Sequence, residues 1–74
     1  MPTMAAVKID GAKLKSLRER RFLRREELAE KVGSHRDHIG RLERDEIDNP
    51  RMTTIRKLAE ALEVDPHELL ADDE

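Results

Sequence analysis

The chain has no cysteine, a single aromatic residue (Phe22), only three glycines, and nowhere a long apolar run. Without cysteine there is neither a disulfide nor a thiolate metal site. No apolar stretch approaches the roughly 20 residues a membrane-spanning helix needs, so the chain reads as soluble, with a cytoplasmic location expected and no membrane partner. Charged residues make up 43% and hydrophobic residues 36%, which with so few aromatics favours a small helical bundle over a sheet. Serine is scarce as well, Ser16 and Ser34 being the only two. With no cysteine nucleophile, and with the carboxylates read as helix-surface charges, an enzyme is not expected.

Seventy-four residues fill one small domain and leave no room for a deep pocket between layers. No stretch reads as a separate effector or dimerisation domain, and neither a cofactor nor a small-molecule effector is expected. Residues 1–8 are expected to form a flexible arm, 9–71 the folded domain and 72–74 an acidic tail. The net charge of −2 hides an uneven split. Residues 1–44 carry 12 Lys and Arg against seven Asp and Glu, and residues 45–74 carry three against ten. Such a split suits a molecule that turns a basic side to a polyanion; it also fits ordinary solvated helix faces.

Periodicity and punctuation predict five short helices. The first starts at Asp10 as N-cap, places Leu14 and Leu17 inward and ends near Arg20, after which Leu23 drops into the core. The second runs from Arg25 to Val32, with Leu28, Ala29 and Val32 on one face. The third runs from Arg36 to Arg44, with Ile39 and Leu42 inward and the charged residues outward. After the polar "DEIDNP", the fourth spans Met52 to Leu62. There Ile55, Leu58, Ala59 and Leu62 keep strict three-and-four spacing, the best helical pattern in the chain. "VDPHEL" then supplies an N-cap at Asp65, proline at the first helical position, Glu68 to close a capping box, and Val64 against Leu69 as a staple. A fifth helix over 66–71 is predicted from it.

The segment "LAEKVGSHRDHIGRLE" holds two of these helices joined at Gly33. A small residue at Ala29 permits close approach, and glycine permits a left-handed cap that ends the second helix within one turn. Burying Ile39 and Leu42 against Leu28 and Val32 leaves Arg36, Asp37, His38 and Arg41 on the outer side. These are donors and acceptors of the kind that read base edges from a major groove.

At these residues the sequence resembles the helix-turn-helix family of phage repressors and Cro, the xenobiotic-response-element type of bacterial regulator. The resemblance covers about Leu14 to Leu70, through "LKSLRERRFLRREELAEKVG", "IGRLER" and "RKLAEALEVDPHELL", three blocks in order and in register. With the five helices read above it implies an all-α, lambda-repressor-like fold and a sequence-specific regulator of transcription, a repressor, bound to double-stranded DNA; because one short helix reads only a few base pairs, a homodimer on two half-sites is expected. The third helix would read the major groove with Arg36, Asp37 and Arg41, beside Ser34, His35 and His38. Arg24, Arg25 and Arg44 complete the implied DNA-binding set. Arg25 stands where the family has a glutamine that binds the DNA backbone, and Arg24 where it has a serine or threonine cap. Ser34 replaces an apolar turn residue and His35 a serine, and the loop before Pro50 is one residue longer than the family pattern.

Blander readings stand beside these. One makes Arg36 and Arg41 surface arginines paired with Asp37 and Asp45; another has Asp37 orient an arginine instead of accepting from a cytosine amine. Arg18, Arg20 and Arg21 either reach phosphate or line a solvated face. His35 and His38 lack a third metal ligand, and His67 is a first-turn helix residue. The alternative function on the same fold is a protein-binding adaptor, an antitoxin-like partner domain presenting its acidic half.

Overall fold

A computed structural model describes residues 8–47 and 50–71. Residues 1–7 of the arm expected over 1–8, the tail over 72–74, and Asp48 and Asn49 of the longer loop lie outside the described residues. The chain forms four α-helices, α1 (Gly11–Arg20), α2 (Arg25–Val32), α3 (Arg36–Glu43) and α4 (Met52–Leu62). The fifth helix expected over 66–71 is instead a single 3-10 turn, Pro66–Leu69. Its start is as expected, since Asp65 accepts from the His67 N–H at 2.8 Å and Glu68 reaches back to the Asp65 N–H at 3.4 Å. Its end is set by tertiary pairing. Leu70 is extended and bridges Ile9 in antiparallel fashion, with the Asp10 N–H on the Leu69 carbonyl at 2.8 Å and the Ala71 N–H on the Lys8 carbonyl at 3.0 Å. The backbone groups that a longer helix would use are already taken.

The apolar stripes meet as their spacing predicts. Leu14, Leu28, Ile39, Leu42, Ile55, Leu58, Leu62 and Leu69 are fully buried, joined by Ile9, Leu17, Ala29, Val32 and Ala59. Leu23, Ile47 and Val64 pack against this core from its edge and stay half-exposed. Helix α2 packs on both α3 and α4, and α1 on α3 and the 3-10 turn. Asp10 caps α1 as expected, accepting from the Ala12 and Lys13 N–H groups at 3.0 and 3.2 Å.

All four α-helices end in the same hydrogen-bond pattern. A residue in the left-handed region follows the last turn, and the next N–H reaches back five residues to a carbonyl. The four residues are Phe22 (φ 56°), Gly33 (67°), Asp45 (59°) and Glu63 (58°). The long bonds run from Leu23 to Arg18 at 3.2 Å, Ser34 to Ala29 at 2.8 Å, Glu46 to Arg41 at 2.9 Å and Val64 to Ala59 at 3.0 Å. This is the Schellman motif, which satisfies carbonyls a helix end would otherwise leave unpaired. Gly33 adopts it without strain; the other three residues carry a Cβ that disfavours the left-handed region. Two opposite outcomes follow. Gly33→Val is expected to lose about 1–3 kcal/mol, with Gly33→Asn milder because asparagine tolerates this region and nothing lies within 4 Å of an added Cβ. Glu63→Gly is expected to gain about 0.5–1 kcal/mol, its exposed 3.6 Å ion pair with Arg21 being of little weight. Paired thermal melts check both signs.

Candidate nucleic-acid interface

Helix α2 stops at Gly33 so that α3 can start three residues later, crossing against it with Ile39 and Leu42 buried and its other side outward. Neither helix has a good side-chain N-cap. Arg24 has no acceptor to offer α2, although Glu27 reaches back to the Arg24 N–H at 2.7 Å, half of a capping box. His35 precedes α3 without a cap bond. Both starts therefore lack a side-chain acceptor from the N-cap residue for their first-turn N–H groups.

A groove opens where α1, the start of α2 and the outer side of α3 converge. It is lined by Lys15, Arg18 and Glu19 of α1, by Arg24, Arg25 and Glu26 at the start of α2, and by Arg36, Asp37, Gly40, Arg41 and Arg44 along α3. Cations outnumber anions there seven to three, although the chain as a whole is acidic. Six of the nine residues expected to bind DNA thus share one surface: Arg24, Arg25, Arg36, Asp37, Arg41 and Arg44. The other three do not. Ser34 and His35 border a shallow hollow beside Glu26, Glu27 and Glu30, with Arg36 on the shared rim. His38 is half-buried on the far flank, against the start of α4 with Arg51, Thr53, Thr54 and Lys57.

The side chains on the outer face are held loosely. Arg36 lies 3.9 Å from Asp37, both largely exposed, a contact of little energetic weight. Arg41 and Arg44 share Glu46, at 3.8 and 2.9 Å. The hydrogen bond between Arg44 and Glu46 raises the arginine's pKa and holds the carboxyl below its ordinary range. The pairing of Arg41 with Asp45 considered from sequence does not form. Asp45 instead accepts the Gly11 N–H at 2.8 Å, pinning the end of α3 to the start of α1. Arg44 sits just past the last residue of α3, so the helix is one residue shorter than its sequence pattern suggested.

Beneath the groove lies a feature that sequence reasoning misplaced. Glu43 and Arg18, expected on outer faces, are both buried, at 9% and 8% exposure. The Arg18 Nε and Nη2 groups donate to the two oxygens of Glu43, and its Nη1 donates to the Leu23 carbonyl at 2.7 Å. Arg25 adds its Nε to the same carboxylate at 3.0 Å. Arg18 is therefore neither a phosphate ligand nor a solvated residue. Arg21 turns away too, donating to the Leu62 carbonyl at 3.1 Å, while Arg20 stays exposed. The signal for the buried pair was in the spacing. Arg18 continues Leu14 and Leu17, and Glu43 continues Ile39 and Leu42, at the three-and-four positions of the inner stripe. Lys15, Glu19, Glu26 and Gly40 also line the groove without having been singled out by the sequence, and Lys15 lies one turn from Glu19 on α1.

Among the described residues no cluster of His and carboxylates is arranged to hold a metal, and no helix is long and apolar enough to cross a membrane. Residues 11–71 match the family model described as a helix-turn-helix domain. No curated protein sequence matches the chain. Solved structures do. The restriction-modification controller protein C.AhdI from Aeromonas hydrophila is 38% identical with a TM-score of 0.74, over 78% of this chain and 83% of that one. The P22 c2 repressor, in complex with a synthetic operator, is 27% identical with a TM-score of 0.79, over 89% and 98%. SinR, a master regulator for biofilm formation in complex with DNA, is 30% identical with a TM-score of 0.73, over 77% and 90%. With a family match spanning most of its length and the two-helix turn at Gly33 as its geometric centre, the chain belongs to the helix-turn-helix family of Cro and phage-repressor type.

Proposed function

We propose that this domain is a transcriptional regulator that binds double-stranded DNA sequence-specifically, with α3 in the major groove, and acts as a repressor. It is a binding domain and not an enzyme. The observation that carries this is the groove itself. A net positive surface on an acidic chain runs along the outer side of a short helix. Within it Arg36, Asp37 and Arg41 face the base edges, with Ser34, His35 and His38 at the margins. Arg24, Arg25 and Arg44 lie on the sugar-phosphate backbone. Glu46 holds Arg41 and Arg44 ready in the free protein and is exchanged for phosphate and base acceptors on binding.

A helix of eight residues reads only a few base pairs, so useful specificity calls for a homodimer on two half-sites about one helical turn apart. The C.AhdI, P22 c2 and SinR structures support the nucleic-acid reading, two of them being complexes with an operator or with DNA. Arg36→Ala tests it on duplexes selected from a random pool. Binding to the selected site is expected to weaken by about 1–3 kcal/mol while binding to random duplex barely changes. Equal losses on both would move Arg36 to the backbone.

A further inference from the structure

Arg25 opens α2 on the wall of the groove, and its side chain crosses α3 at Gly40, where an added Cβ would lie 3.9 Å from the Arg25 Cδ. It ends on Glu43. That carboxylate is 2% exposed and already holds Arg18, whose side chain is 9% exposed, while Arg25 is 44% exposed. One buried negative charge thus serves two guanidiniums, one inside and one at the surface. The outer one is engaged through Nε alone, and the residue lines the groove at the start of α2, where Arg24 makes no side-chain cap bond. The trio carries a surplus positive charge at that wall, which a phosphate oxygen completes.

We infer that Glu43 is a positioning residue for DNA: from the buried side it fixes the Arg25 guanidinium by its Nε, so that both Nη groups are presented as a paired donor to one backbone phosphate. The inference rests on the proposed reading of this groove as a DNA interface. An unattached arginine surrenders its rotamer freedom when it binds, whereas here much of that freedom is lost on folding, so the phosphate contact is gained at lower entropic cost. Because Glu43 lies in the last turn of α3 and Arg25 at the first of α2, the phosphate contact also fixes the depth at which α3 sits. A lysine at position 25 would keep the charge but not the two-sided fork.

The test is a double-mutant cycle in duplex binding, with Arg25→Ala and Glu43→Gln singly and together, run at a temperature where melts show every variant folded. Arg25→Ala is expected to weaken all duplexes about tenfold and to lower the salt slope by about one unit. Glu43→Gln is expected to weaken binding several-fold when Arg25 is present and to have no further effect when it is absent. Equal losses from Glu43→Gln in both backgrounds would show that it acts through packing alone and would overturn the inference. An unchanged salt slope in Arg25→Ala, on DNA whose selected site still depends on Arg36, would overturn the phosphate contact and leave the DNA reading standing. If Glu43→Gln does not fold, the arginine side-chain NMR signals of the unmodified domain decide. The Arg25 Nε–H is expected to be protected from exchange before and after duplex is added, with only the Nη signals shifting. A freely exchanging Nε–H in the DNA-free domain would contradict it.

Discussion

Glu43→Ala is expected to lose about 3–5 kcal/mol, close to the whole stability of a domain this size, because it strands Arg18 without a counter-charge in the interior. Two of the arginine's three hydrogen bonds would be lost, with only that to the Leu23 carbonyl remaining. A buried ion pair is not in itself stabilising relative to an apolar pair of similar volume, since both charges are taken out of water. The same physics therefore predicts a rescue. Arg18→Met combined with Glu43→Leu is expected to recover most of the lost stability in urea unfolding, while DNA binding stays weak because Arg25 has lost its anchor. A single Glu43→Ala variant that unfolds within about 1 kcal/mol of the parent would contradict the buried-pair reading.

Gly11→Ala is expected to be nearly as damaging, at about 3 kcal/mol or more, although alanine is the better helix former by up to about 1 kcal/mol. The reason is contact with backbone. A Cβ at residue 11 would lie 2.3 Å from the Glu43 carbonyl oxygen and 2.7 Å from that of Leu42. Neither can swing aside as a side chain would, so α1 has to lift off the end of α3. The Gly11 N–H would then leave Asp45 as well. Asp45→Ala alone removes that bond without the clash and is expected to cost only about 1 kcal/mol. Thermal melts of the pair separate the two causes; an alanine at 11 that raises the melting temperature would mean propensity wins and the close approach is absent.

These two positions show what sequence alone does and does not reveal. The core of α4, the turn at Gly33 and the cap at Asp65 are legible because each is encoded locally, by a stripe, a glycine or a box of side chains. The close approach at Gly11 is not. Its cause lies some thirty residues away in the backbone of α3, and nothing beside it in the chain marks it. Arg18 and Glu43 were legible in principle, since both sit on the inner stripe, but charge outweighed period in assigning them outward. The left-handed ends at Phe22, Asp45 and Glu63 carry no glycine signal and are held by packing beyond the helix end. Phe22, the one aromatic, is 93% exposed there and contributes nothing to the core.

The candidate site divides in the same way. Arg36, Asp37 and Arg41 follow from the period of α3, because burying Ile39 and Leu42 forces them outward. That Arg24, Arg25 and Arg44 join them depends on how α2 crosses α3, which the resemblance supplied and the spacing alone did not. On spacing alone, the burial of Ile39 and Leu42 points His38 outward as well, between Asp37 and Arg41. Its position one residue before Ile39 turns it toward the start of α4 instead.

The most direct measurement of the central claim is duplex affinity as a function of salt, on a site selected from a random pool and on random duplex. Each phosphate contact contributes a slope of about −0.9 in log affinity against log salt, so the three contacts proposed for one domain, through Arg24, Arg25 and Arg44, give roughly −2.7, and a homodimer about twice that. A steep slope on both duplexes, with the selected site bound at least about a thousandfold tighter, is the expected result. Binding that is undetectable at low salt, or that does not change with salt, would contradict it and leave the partner of this surface to be a protein.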